Sequence, residues 1–400
     1  MTIETIGRNN CSGCSLCSLV CLHQCISMQE DKEGFLQPII NHDICVDCGL
    51  CYKLCPCKEQ YLEERQPSYY AASIMDKESL KNSSSGGIFI ALALSFIKQG
   101  GYVCGCVFNE NMAAEHICTN YLGDVKRMMG SKYVQSNITQ CLKIVKELLQ
   151  GDNLVLFTGT ACQIAAVKRF TNNAEKLYCV DILCHGVPSP LFLRKYVQHL
   201  EQKHRGKLVR LEFRNKGKRG WGSEHRTYYE IEKNGNTKGY RPNLPAYFCA
   251  FFWGLDLRES CYNCKFTGTN RVSDITIGDF WGYWACFKKQ FPEGISVVSI
   301  NSEKGKILFD TIKCEVDIKK ELDQVVATGT NTNFYHPTIK PTTRDVFYKG
   351  IEVMEYKDFK KRVFLDRTSR RKLLVSVYGC YVPEVIRRFV RNHIRKAGSE

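Results

Sequence analysis

Two stretches near the start of the chain, CSGCSLCSLVC (11 to 21) and CVDCGLCYKLCP (45 to 56), both read Cys, two residues, Cys, two residues, Cys, three residues, Cys. A structural zinc ion takes two paired ligands from each of two knuckles and has no use for a third cysteine at this interval. A [4Fe-4S] cubane does, because three closely spaced cysteines wrap its corners and a fourth arrives from elsewhere. Farther on, Cys162 lies in FTGTACQ, Cys184 in DILCHG, and Cys261 with Cys264 in SCYNCKF. Taken alone, Cys162 could be a nucleophile, part of a phosphate cradle or a metal ligand. A nucleophile wants a base, and His185 beside Cys184 is the tempting one. Triad partners usually come from distant segments, however, and CysHisGly is equally a turn after a strand. The single CxxC at 261 and 264 leaves zinc, a redox dithiol and a cluster ligand open.

The spacing of the first two runs is that of bacterial two-cluster ferredoxins, where the fourth cysteine of each run crosses to the other cluster. Cys11, Cys14, Cys17 and Cys55 are therefore expected to hold one [4Fe-4S] cluster, and Cys45, Cys48, Cys51 and Cys21 the second. Pro56 follows the second run as in ferredoxins, whereas Leu22 follows the first, and Cys25 and Cys57 are left over. Between the runs, CISMQEDKEGFLQPII predicts a hairpin with Gly34 in its turn, as in a βαββαβ repeat. So short a segment buries little core, and its stability should depend on the metal.

The elements that would position the later cysteines are legible as periodicity. NSSSGGIFIALALSFIKQGGYVCGCVF (82 to 108) predicts a Ser/Gly loop, an apolar helix, a Gly-Gly stop and a strand. Free amides and hydroxyls at that helix start suit an anion such as a dinucleotide pyrophosphate, although Ser and Gly there are also ordinary capping. In ITQCLKIVKELL, residues Ile138, Cys141, Leu142, Val145, Leu148 and Leu149 share one helix face. LVLF, a helix from about 162 and LYCVDILC then alternate, which predicts an α/β layer with a mostly parallel sheet. FTGTACQ and DILCHG thus fall just past strand C-terminal ends, where open α/β sheets place ligands.

Together SSSGG, GSKYVQS (130 to 136), FTGTACQ, DILCHGVPSP (181 to 190) and SCYNCKFTGTNRVSDITIGDFWG (260 to 282) resemble, in order, the family of coenzyme F420 hydrogenase/dehydrogenase beta subunits, over roughly residues 8 to 335. The resemblance implies an iron-sulfur flavoprotein with FAD in a larger α/β domain, shuttling electrons between clusters and a two-electron partner, which in archaeal members is the deazaflavin F420. It implies a third [4Fe-4S] cluster on Cys162, Cys184, Cys261 and Cys264. It also puts Ser84, Ser85, Gly86 and Gly87, with Lys132 of GSKY, on the FAD side. A lysine near the ring would stabilise the anionic reduced flavin; the alternative is a solvated lysine in a helix-to-loop turn. Relatives commonly read GTPCQ where this chain has Ala161, a helix former that can take the φ proline would fix.

At 400 residues, 44% hydrophobic and 24% charged, the chain is expected to be globular, with two or three domains. The divisions expected are a dicluster ferredoxin domain at 1–66, an α/β flavin and iron-sulfur domain at 67–335, and a basic, partly helical extension at 336–400. The start lacks a signal-peptide pattern, and the longest apolar run, IFIALALSFI, is too short to span a bilayer. A cytoplasmic setting follows as the expectation, in which cysteines serve better as metal ligands than as disulfides. The net charge of +15 is uneven, with four Lys and Arg against seven acids in residues 1 to 60 and fourteen against seven in residues 345 to 400. A nucleic-acid-binding face would not look like this, and no nucleic-acid partner is expected. In the tail, Val385, Ile386, Phe389, Val390 and Ile394 alternate with Arg387, Arg388, Arg391, Arg395 and Lys396. Such an amphipathic helix could make peripheral contact with an anionic membrane or an acidic partner, or simply dock on the surface. The function expected is an oxidoreductase passing electrons between an electron-carrier protein or partner oxidoreductase and a small-molecule substrate; the resemblance, through bacterial members of the family, adds a link to surface polysaccharide biosynthesis. The alternative is a non-catalytic electron-transfer subunit.

Overall fold

In the computed structural model, which describes residues 1–58, 66–217, 220–221, 227–242 and 245–363, the first 58 residues form more loop than regular structure. The expected hairpin is there: β1 (Ile26–Glu30) pairs antiparallel with β2 (Leu36–Ile40), Ile26 opposite Ile40. Gly34 turns the chain at φ +83°. Two short helices, Leu16–Val20 and Leu50–Lys53, carry the ends of the cysteine runs. The outer part of the expected βαββαβ repeat differs, because Ile3–Ile6 is a 3-10 turn rather than a strand. Isoleucines three apart eclipse one another on such a turn, and both pack against buried Cys17, Cys51 and Cys55; a strand would send them to opposite faces.

The body is built on one mixed eight-stranded sheet. Its strands are β3 (Ser68–Ile74), β4 (Tyr102–Phe108), β5 (Ala114–Thr119), β6 (Val155–Thr160) and β7 (Leu177–Ile182), while β8 (Lys207–Glu212), β9 (Tyr228–Lys233) and β10 (Asn236–Tyr240) make a separate small sheet. β11 (Ile275–Asp279), β12 (Ser296–Ile300) and β13 (Val316–Leu322) complete the large one, in the order β13-β3-β12-β11-β7-β6-β4-β5. The sheet is parallel only at its centre, β4, β6, β7 and β11. β5, β12, β3 and β13 join antiparallel. The expectation of a mostly parallel sheet is corrected here, since parallel neighbours need a long crossover and β5 follows β4 through the short turn at 109 to 113.

Apolar patterning explains the layers. The run IFIALALSFI is the helix Ile88–Lys98, fully inside, with Ile88, Ile90, Leu92 and Phe96 buried against the sheet. No helix of the described residues is long and apolar enough to cross a membrane. The helix Thr139–Gln150 buries Cys141, Leu142 and Val145 as its period requires. Cys104 and Cys118, opposite one another in β4 and β5, are joined as a disulfide, a departure from the expectation that cysteines here serve better as metal ligands than as disulfides.

The N-terminal segment is fastened to the body through the hairpin tip. Phe35 enters the core formed by the helix Pro190–His204, the small sheet and the chain at 347 to 363. Arg344, 1% exposed, holds the Glu33 carboxylate bidentately at 2.9 and 2.7 Å. The basic helix expected at 382 to 400 lies outside the described residues. Glu33→Ala leaves that guanidinium with Glu259 at 3.2 Å and, more distantly, Asp345 at 3.9 Å. We expect a stability loss of about 3 kcal/mol, the low end for breaking a buried pair. Anaerobic equilibrium unfolding of the holoprotein checks this, and a change below about 0.5 kcal/mol, ordinary for a surface position, would refute it.

Candidate iron-sulfur and dinucleotide sites

The N-terminal cysteines fall into two neighbourhoods. In one, Cys17 is influenced by Cys14 and Cys11, and Cys55 by Cys14, so the last cysteine of the second run stands with the first run. In the other, Cys51 is influenced by Cys48 and Cys21. Cys55 and Cys21 each lie beside the other run, and Cys17 also feels Cys51 across the two neighbourhoods. Each neighbourhood also contains a leftover cysteine: Cys57 Sγ lies 3.3 Å from Ser12 Oγ, and Cys25 Sγ 3.2 Å from Cys21 Sγ. Burial pushes the Cys14 thiol up to about 12 and raises Cys11, Cys17 and Cys51. Opposing that, amides are aimed at sulfur: Gly13 N at Cys11 Sγ, 3.4 Å, and Ile3 and Tyr52 at Cys51. Cys48, by contrast, is exposed.

The later four cysteines come together at the ends of neighbouring strands. β6 and β7 are paired, Thr160 opposite Ile182, so the helix Ala161–Phe170 and the loop at 183 to 187 start side by side. Gln163 accepts from the Thr160 amide at 3.0 Å and donates to Ser136 Oγ at 2.9 Å, which fixes the first helical turn and with it Cys162. Cys261 sits in the 3-10 turn Glu259–Asn263 and Cys264 just after it. Cys162, Cys184, Cys261 and Cys264 line one cavity, joined by Cys57 and Ser12 from the N-terminal segment. Arg271, 3% exposed, pairs with fully buried Asp181 and donates to Phe266 O at 3.0 Å, so the loop carrying Cys264 is fastened under β7.

In this cavity burial opposes the anionic form of each thiol, and backbone amides partly offset it. Burial pushes the Cys184 thiol up to about 12 and Cys162 and Cys261 well above the usual thiol range, and neighbouring thiols add to it in each case. The amides of Gly186, Val187 and Phe266 point at the sulfurs of Cys184, Cys261 and Cys264. Among the described residues no three Cys, His, Asp or Glu side chains converge on a single metal ion. A cubane, which takes each thiolate at a separate corner, fits four thiols around a common space where one ion would not. His185 lines the same cavity, with its Nδ1 3.1 Å from Thr338 Oγ1 and its ring edge-on against Phe251.

A second, larger cavity of about 990 Å³ opens between the helices Lys77–Asn82 and Leu122–Met128 on one side and β8 with the chain after it on the other, with Lys126, Lys132, Arg210, Arg214 and Arg241 in its wall. SSSGG borders it only partly. Ser84 Oγ lies 2.9 Å from Ser131 Oγ on the cavity rim. Ser85 Oγ donates to Ile295 O, and the Gly86 amide donates to Ser296 Oγ, each at 2.9 Å. Gly87, at φ +78°, caps the apolar helix. The turn is thus knitted to β12. Lys132 Nζ donates to the carbonyls of Arg127, Met128, Met129 and Gly130 at 2.8 to 3.2 Å, and burial lowers its pKa to about 8. It closes the C-terminus of the helix Leu122–Met128 from beside the cavity. Sequence spacing carried no sign of the cavity arginines, which come from β8 and from loops that only the fold brings opposite SSSGG.

Comparison with known proteins matches two parts of the chain. Residues 152–323 match the family model for the C terminus of the beta subunit of coenzyme F420 hydrogenase/dehydrogenase, and residues 10–58 match the 4Fe-4S dicluster domain. A component of the F(420)H(2) dehydrogenase of Methanosarcina mazei is 21% identical over 337 residues, covering 80% of this chain and 86% of that protein. A 7Fe ferredoxin of Hydrogenibacillus schlegelii is 31% identical over 74 residues, 18% of this chain and 83% of its own. A protein of the F420-reducing [NiFe] hydrogenase complex from Methanosarcina barkeri, 19% identical, covers 69% of this chain and 92% of itself at a TM-score of 0.46. The chain thus carries, at 152–323, the C-terminal module of the coenzyme F420 hydrogenase/dehydrogenase beta subunits and, at 10–58, a 4Fe-4S dicluster domain, which makes it an iron-sulfur electron-transfer protein of oxidoreductase type.

Proposed function

We propose that the chain is an iron-sulfur flavoprotein in which two ferredoxin-type clusters, a third [4Fe-4S] cluster and FAD connect a carrier or partner oxidoreductase to a two-electron substrate. One observation carries the reading: four cysteines from distant segments line a single cavity whose other wall is Ser12 and Cys57 of the ferredoxin-like segment. On this assignment Cys11, Cys14, Cys17 and Cys55 serve the cluster nearer the body. Cys45, Cys48, Cys51 and Cys21 serve the outer one, where exposed Cys48 marks the side open to a carrier. The third cluster falls to Cys162, Cys184, Cys261 and Cys264.

FAD is assigned to the larger cavity. Its size is within the range of cofactor sites, and its cations suit a diphosphate. Flavin, when bound, exchanges electrons in pairs with substrate and singly with clusters. The chain's own part is to hold and enclose. Arg214 is fixed by Asp279, whose other oxygen takes the Trp221 indole N–H at 2.8 Å, so the guanidinium is presented to the cavity in one orientation. Arg241 is steadied by Asn215 at 2.6 Å and by the Tyr228 ring. The Methanosarcina mazei relative is by name part of a dehydrogenase; we infer that this chain too exchanges electrons with a partner oxidoreductase.

Anaerobic iron and sulfide quantitation tests the third cluster, with about twelve irons per chain expected for wild type and about eight for Cys162→Ser. Eight irons in both proteins would remove Cys162 from the ligand set. Flavin released from the same wild-type preparation is expected to be FAD at one per chain. Reversing a cavity charge, Arg241→Glu, should weaken its retention at least tenfold, about 1.4 kcal/mol. Wild type with all its iron and no flavin would end the flavoprotein reading.

A further inference from the structure

Arg258, Arg271 and Arg344 are almost wholly buried, at 1, 3 and 1% exposure. Arg344 has Glu33, and Arg271 has Asp181. Arg258 has only neutral acceptors: its Nε donates to Cys11 O at 2.7 Å, Nη1 to Gln135 Oε1 at 2.9 Å and Nη2 to Leu36 O at 2.8 Å. Among the described residues no carboxylate forms an ion pair with it. A guanidinium remains charged at any physiological pH, and a charge buried without a counter-ion is strongly unfavourable. The three bonds give each nitrogen a partner and leave the charge unbalanced.

Its position shows what could balance it. Arg258 lines the cavity of Cys162, Cys184, Cys261 and Cys264, and on its other side it grips the carbonyl of Cys11. The wall here is tight, since a Cβ on Gly13, φ +66°, would stand 2.7 Å from Nη1 and 2.6 Å from Gln135 Nε2. Gln135 Nε2 in turn donates to Ser12 O at 3.1 Å. The guanidinium is therefore built into the partition between two groups of thiols.

We propose that Arg258 is the shared counter-cation of two [4Fe-4S] clusters, on Cys11, Cys14, Cys17 and Cys55 and on Cys162, Cys184, Cys261 and Cys264, and that it raises the reduction potential of both. The inference rests on the cluster assignment above. A cubane with four thiolates carries roughly −2 when oxidised and one further negative charge after accepting one electron. A fixed cation beside it favours the more negative form, and favours it most in a buried partition where water does not screen. One cation serving both sides makes either cluster easier to reduce.

Redox titration of the anaerobically purified full chain, with dithionite as electron donor and EPR as readout, tests this. Arg258→Met removes the charge. Two of three cluster signals should become at least tenfold harder to reduce, a midpoint drop of about 59 mV or more for one electron, while the outer cluster stays put. Arg258→Lys should hold both midpoints near wild type; a drop equal to that of Arg258→Met would assign the effect to lost hydrogen bonds and overturn the proposal. If Arg258→Met fails to assemble, Gln135→Glu, isosteric and placing a carboxylate against the guanidinium, should lower the same two midpoints. Iron counts separate the two levels of inference. Wild type short of three clusters overturns the assignment, whereas a full complement with midpoints unmoved in Arg258→Met or Gln135→Glu overturns the role of Arg258 alone.

Discussion

A thiol must give up its proton before it can bind iron, and burial opposes that loss. This opposition governs the centre of the molecule. Cys14, Cys162 and Cys184 are all held protonated by desolvation and by neighbouring thiols. On the proposed cluster assignment the same space would turn anionic when metal binds, so folding, proton release and metal uptake would be one coupled process. The amides of Gly13, Gly186, Val187 and Phe266 and the nearby guanidiniums of Arg258 and Arg271 are what the fold supplies to make the charged form tolerable.

The large sheet converts that local chemistry into an address. Its parallel centre delivers Cys162 and Cys184 to the same edge because β6 and β7 end together, and β11, also parallel to β7, follows from the loop bearing Cys261 and Cys264. The antiparallel flanks take no part in this. They cover the centre and, through β12, anchor the SSSGG turn.

What sequence made legible was whatever rests on short-range periodicity. The thiol spacing, the hairpin at Gly34, the buried helix Ile88–Lys98 and the alternation around FTGTACQ are all local signals, and each has its counterpart in the fold. Ile3 and Ile6 could not be placed locally, since a spacing of three fits a 3-10 turn only once there are buried cysteines to pack against. The strand order was likewise hidden, because a hairpin and a crossover present the same apolar runs. The Arg258 contacts with Cys11 and Gln135 join residues 247 and 123 positions apart, which no pattern in one sequence encodes. Lys132 was legible as a residue, but its grip on four carbonyls at a helix end was not.

The hairpin tip has a bearing on how the molecule can exchange electrons. Gly34 leaves no room for a Cβ against Leu191, Ser189 donates to Glu33 O, and Arg194 reaches Glu30 at 2.8 Å. A segment plugged in this way is not a tethered shuttle that swings between stations. The distance from its inner cysteines to the cavity of Cys162 is set by the core itself, so under the proposed function the step that diffusion controls would be the arrival of a partner at the outer face around Cys48, and the inward leg would run over a fixed gap that such a partner does not alter.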